Sequence, residues 1–117
     1  MADTKHDIVK EIDSEADFKQ YLSANEVVVV DFWAQWCGPC QMIKPKFHDL
    51  ASQYKDAKVK FASCEIDKEE NEPIAEDPDV NVESLPTFVI FKGGKQVDRL
   101  VGSNIDKLKE MVSKHNH

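Results

Sequence analysis

The stretch Val27-Val28-Val29-Val30-Asp31-Phe32-Trp33 limits the architecture more than any other part of the chain. It has strand length and β-branched composition, and it is apolar at every position except Asp31. A strand that is apolar on both faces needs cover on both, which is the situation of an inner strand in a parallel sheet flanked by helices. No run is long enough to span a bilayer. The whole chain has 117 residues, the size of one core, so a single domain over 1–117 is expected. With 41% hydrophobic and 32% charged residues, that core should pack rather than remain disordered.

Other elements follow from periodicity and punctuation. Ile8 to Ile12 alternates and suggests a short edge strand. Ser14 and Asp17 have the spacing of a capping box, after which Phe18, Tyr21 and Leu22 fall at helical intervals. A second helix is expected to start at Cys37 and Cys40 and run to about Tyr54. Its stripe is Met42, Ile43, Phe47, Leu50 and Ala51, with a kink at Pro45. Val59 to Ile66 reads as another buried strand, so the succession is a βαβ crossover of the usual right hand. Pro73 suits the start of a short helix that Pro78 stops. Thr87 to Phe91 and Gln96 to Val101 are strand-like runs joined by Lys92-Gly93-Gly94-Lys95, a hairpin signal. Ser103 and Asp106 repeat the capping-box spacing ahead of Ile105, Leu108, Met111 and Val112. The sum is an α/β domain with a mixed sheet and helices on both faces.

The formal net charge of −7 disfavours adhesion to nucleic acid or anionic membranes, so neither is expected as a partner. The segment Met1 to Asp7 has no basic region followed by an apolar one, and it does not read as a secretory signal. Three cysteines do not make the dense, even pattern of a stapled secreted domain, and a reducing, cytoplasmic setting is expected.

Cys37-Gly38-Pro39-Cys40 follows a buried-type strand and opens a helix, a context that separates a redox pair from a zinc knuckle. Free N–H groups and the positive end of the helix dipole favour a thiolate at Cys37, whereas Cys40 lies one turn deeper. Cys37 is therefore the expected nucleophile towards a target disulfide. Cys40 is the resolving thiol, closing a redox-active Cys37–Cys40 bridge. Pro39 fits the first turn, where no donor is required.

Trp33-Ala34-Gln35-Trp36-Cys37-Gly38-Pro39-Cys40 resembles the active-site signature of the thioredoxin family, and the similarity runs over nearly the whole chain. Pro45 falls at the family's helix kink, Asp31 at its buried acid, and Leu85-Pro86-Thr87 at its cis-proline loop. Phe91-Lys92-Gly93-Gly94 and Val101-Gly102 match its hairpin and final loop. The resemblance implies a thioredoxin fold, a five-stranded mixed sheet of order 3-1-2-4-5 flanked by four helices. It also implies protein-disulfide reduction, with no bound cofactor or metal. Electrons would come from NADPH through thioredoxin reductase, and the chain is read as a monomer. The implied peptide groove comprises Trp36, Gly38, Pro39, Ile66, Leu85, Pro86, Val101 and Gly102, with a target segment pairing as an extra strand at Leu85.

Asp31 can be read without the family. Desolvation among valines and aromatics raises its pKa and suits it to accept a proton from Cys40, whereas the plainer reading is a strand-end acid in solvent or a salt bridge. Its place six residues before Cys37 favours the base. Many thioredoxins pair this acid with a lysine on the neighbouring strand. Ser63 stands there instead, so an easily protonated Asp31 is expected.

Cys64, on a predicted inner strand, reads as an inert small hydrophobe rather than a regulatory thiol. A zinc site from Cys37, Cys40, Cys64 and a histidine lacks the spacing. From Glu65 to Glu83, nine carboxylates face Lys68 alone. They read as a solvated loop, with steering of basic partners as the sharper alternative. His115 and His117 are expected to be frayed. Trp33 should pack under the site and Trp36 cover it. The rival from another class is a redox-inactive thioredoxin-fold scaffold for binding. An isomerase or periplasmic oxidase would need export, and a glutaredoxin would need a glutathione site that the sequence does not display.

Overall fold

Strand β2 (Val27–Trp33) divides two cores, as its composition requires. In the computed structural model, which describes residues 8–116, Val27 and Val29 pack with Ile43, Phe47, Leu50, Leu108 and Val112. Val28, Val30 and Phe32 point the opposite way, towards Phe18, Leu22, Ile74 and Val80. Helices α2 (Gly38–Gln53) and α4 (Ile105–His115) therefore cover one face of the sheet. Helices α1 (Glu15–Ala24) and α3 (Glu72–Glu76) cover the other. The segment Met1 to Asp7 and His117 lie outside the described residues.

Parallel to β2 runs β3 (Val59–Glu65), with Ser63 opposite Asp31. On its outer side β3 carries β1 (Val9–Glu11), also parallel. Antiparallel to β2 is β4 (Thr87–Lys92), which forms a hairpin with β5 (Lys95–Val101). Among the described residues the five-stranded mixed sheet and four α-helices are as expected, and the order along the sheet is β1-β3-β2-β4-β5. Relative to the expected 3-1-2-4-5, the first and third strands exchange places. The reason is burial: β3 is apolar on both faces, with Phe61, Ala62 and Cys64 almost wholly enclosed. The three-residue β1 has only Val9 to bury and goes to the edge.

Local signals hold with small shifts. Ser14 caps α1 by accepting from the Asp17 N–H at 3.1 Å, and Asp17 reaches back to the N–H of Asp13 at 2.9 Å, one residue beyond a closed box. Asn104, not Ser103, caps α4, taking the Lys107 N–H at 3.1 Å. Ser103 still lies in the bend that follows Gly102. Helix α2 continues through Pro45. Met42 does not join its buried stripe and is 77% exposed. The inward face steps through Cys40, Ile43, Phe47 and Leu50, and Met42 sits about 100° round from Ile43. The turn between β4 and β5 is only Gly93-Gly94, both at positive φ, as a two-residue type I′ hairpin demands. Among the described residues no helix is long and apolar enough to cross a membrane.

Candidate active site

Three chain segments meet at one end of the sheet: those that follow β2 and β3, and the one that precedes β4. After β2, the Cys37 N–H donates to the Ala34 carbonyl at 3.1 Å, closing a turn that delivers Cys37 to the N-cap of α2. Its Sγ accepts from the Cys40 N–H at 3.2 Å, and the two cysteines are joined as a disulfide. Pro39 occupies the first turn, where its missing donor costs nothing. Cys37 is 5% exposed and Cys40 1%. Cys37 lines the surface groove, while Cys40 packs below with Ala34, Trp33 and Ile66.

That groove is lined by Trp36, Cys37, Gly38, Pro39, Ile66 and the run Val82 to Leu85. Trp36 is 70% exposed and forms part of the groove lining. Pro86, Val101 and Gly102, expected in the groove, lie beside it. The Leu85–Pro86 bond is cis, Pro86 is buried, and its carbonyl accepts from the Gly102 N–H at 2.9 Å. Val101 pairs with Thr87 and is exposed. Sequence reasoning missed Val82, Glu83 and Ser84. The signal available for them was adjacency to Leu85. A separate depression, lined by Pro78, Asp79, Phe91 and the run Gly94 to Arg99, contains no cysteine.

Asp31 lies 2% exposed in β2, and its Oδ1 is buried without a hydrogen-bond partner. Burial pushes its carboxyl up to about 7, and the positive charge of Lys44 on α2 restrains the rise. Lys44 follows Cys40 by four residues and so shares its side of the helix. Its Nζ sits 4.0 Å from the centroid of the Trp33 ring, a cation–π contact over the indole. The lysine that β3 lacks at Ser63 thus has a counterpart on the opposite element. Its i+4 relation to Cys40 was the one trace of this in the sequence.

Cys64, facing the α1 side, is fully buried. Its thiol is pushed up to about 12, by burial first and then by Asp31. Among the described residues no group of three or more His, Cys, Asp or Glu is arranged to hold a metal. His115 is not frayed: its Nε2 lies 2.9 Å from Asp98 Oδ2. Partial burial opposes ionisation of Asp98. The hydrogen bonds from His115 and the Arg99 N–H, with the charges of His115 and Lys114, outweigh it and hold the carboxyl below its usual range.

A cysteine pair at the N-terminus of a helix that covers the strand carrying the buried Asp31, beside a cis-proline loop, defines a thiol–disulfide oxidoreductase. The family model described as Thioredoxin matches residues 9–114. Thioredoxin of Malassezia sympodialis is 40% identical over 107 residues, covering 92% of this chain and 98% of the relative. Thioredoxin of Gallus gallus is 43% identical over 107 residues, covering 90% and 96%. Among solved structures, Plasmodium falciparum thioredoxin superposes with a TM-score of 0.83 at 38% identity, covering 92% of this chain and 99% of that one. The chain belongs to the thioredoxin family and is a protein-disulfide reductase.

Proposed function

We propose that the chain works as one thioredoxin domain over 1–117, in which Cys37 attacks and Cys40 resolves. The placement of the Cys37 Sγ at the α2 N-cap, bordering the groove, carries this reading. In the reduced protein the helix N-terminus favours the Cys37 thiolate. That thiolate attacks one sulfur of a target disulfide, forming a mixed disulfide and expelling the other target sulfur as a thiolate, which takes a proton from water. Asp31 accepts the proton of Cys40, directly or through water, and its position near neutrality suits that transfer. The Cys40 thiolate then attacks Cys37 Sγ, breaking the mixed bond. The second target sulfur is expelled as a thiolate and takes up a proton from water, while Asp31 returns its own to solvent. The target thus leaves as a dithiol with two added electrons and two protons, and the Cys37–Cys40 disulfide remains.

Trp36, Gly38, Pro39, Ile66 and Leu85 form the surface that meets the target, flanked by Pro86, Val101 and Gly102. The backbone at Leu85 offers strand-like pairing. Thioredoxin reductase returns two electrons from NADPH, which makes the chain an electron carrier in cell redox homeostasis. A monomer in the cytoplasm, with cysteines kept reduced, is consistent with that role.

Insulin reduction with dithiothreitol as reductant tests the proposal. Cysteine-dependent turnover that disappears in Cys37→Ser is expected, whereas a rate indifferent to that substitution would favour the binding-scaffold alternative. NADPH oxidation coupled through a thioredoxin reductase tests the source of electrons.

A further inference from the structure

The chain between α3 and the cis-proline loop is held from the side by β5. Gln96 Nε2 donates to the Asp79 carbonyl at 2.6 Å. Arg99 Nη1 donates to the Val80 carbonyl at 2.6 Å, and its Nη2 donates to the carbonyl of Asn81. One guanidinium thus forks across consecutive carbonyls, a geometry that lysine cannot reproduce. Between them the Val80 side chain is sunk in the core, and Asn81 turns the backbone with φ at 48°. The next residues, Val82 to Leu85, are the groove wall opposite Trp36 and Cys37. The turn at 78–80 is also tied locally, the Val80 and Asn81 N–H groups donating to the Asp77 carbonyl at 2.8 and 2.7 Å and the Val82 N–H to the Ala75 carbonyl at 3.3 Å. Residues 81–83 nevertheless reach the wall in neither helix nor strand, and Gln96 and Arg99 are the side chains that hold the carbonyls of 79–81.

We propose that Arg99, assisted by Gln96, is a positioning residue for the substrate groove. It touches no substrate. By fixing the carbonyls of residues 79–81 it holds the wall against Cys37, so that a protein target meets a preformed surface and avoids the cost of ordering one. The inference rests on the groove of the proposed function. It adds to that reading a determinant that acts on protein targets and not on sulfur chemistry.

The test compares insulin with a small aromatic disulfide that reaches Cys37 without covering the wall. In Arg99→Ala, KM for insulin should rise roughly three- to tenfold, while kcat and the small-disulfide rate stay within about twofold. Amide exchange should quicken at Val82 and Leu85 and not in β2. Arg99→Lys and Gln96→Ala should show the same split with smaller amplitude. An unchanged insulin KM overturns the proposal, as does an equal fall for both substrates. Should Arg99→Ala not fold, the same criteria apply to the two milder variants. If wild-type protein shows no cysteine-dependent insulin reduction, the underlying reading of the groove fails. If it is active and the variants keep its KM, only the role of Arg99 fails.

Discussion

An ionised Asp31 is something the fold tolerates rather than wants. Its carboxyl titrates near 7 when folded, against 3.8 for an unburied aspartate. Between those values the unfolded chain has released a proton that the folded one keeps. Stability therefore declines as pH rises through that window and levels off above it. The full effect is at most about 4 kcal/mol, at about 1.4 kcal/mol per pH unit. Asp31→Asn should remove this slope: urea midpoints of wild type and variant should diverge from pH 4 to pH 8, with the variant more stable at the upper end. Parallel pH profiles would show that the acid is solvated. Lys44→Met should raise the Asp31 midpoint followed by carboxyl NMR, and Lys44→Arg should restore it, because the restraint is one of charge. The buried acid was legible in the sequence from its apolar run. Lys44 was not, since its relevance depends on how α2 lies across the sheet.

Elements here are tied at their ends by side chains whose partners sit far away in sequence. The Asn71 Nδ2 donates to the Ile12 carbonyl at 3.1 Å and to the Glu65 carbonyl at 3.0 Å, joining the ends of β1 and β3 to the segment before α3. It is fully buried. Asn71→Leu should cost about 1–2 kcal/mol by taking the side-chain donor from the enclosed Ile12 carbonyl and leaving the Glu65 carbonyl with the Lys68 N–H alone, measured as a lower urea midpoint at constant slope. Nothing in the acidic run set this asparagine apart, because one partner is 59 residues distant. The β4–β5 hairpin is the opposite case, read directly from Gly93-Gly94 and present as expected. At Gly94, with φ at 82°, an added Cβ would meet nothing within 4 Å. Gly94→Ala should therefore destabilise by about 1–2 kcal/mol through backbone conformation alone. Local rules read the helices well and misplaced one cap by a residue. Asn104 and Ser103 are both good caps, and only the path leaving Gly102 decides between them.

Taken whole, the molecule gathers its chemistry where parallel strands end. Cys37 and Ile66 follow the carboxyl ends of neighbouring strands β2 and β3, and Leu85-Pro86 enters antiparallel β4 beside them. The exchange of β1 and β3 leaves this convergence intact, because β3 remains next to β2. Fold class and cysteine pair were legible because each rests on contiguous sequence. Strand order was not, since it depends on which strand has two apolar faces to hide. The α2 side of the core rests on Phe47, which meets Phe61 edge to face and Phe88 at a tilt, with centroids 5.5 and 5.6 Å away. Phe47→Ala should cost about 3–5 kcal/mol, seen in thermal and urea unfolding. Cys64 sits against the opposite face of the same sheet with a thiol that stays protonated at neutral pH. A maleimide added to the reduced native protein should thus label Cys37 at the groove at once, the enclosed Cys40 more slowly, and Cys64, the third, only when β3 is torn from its neighbours. The slow arrival of that third label would time, molecule by molecule, how often the sheet comes apart.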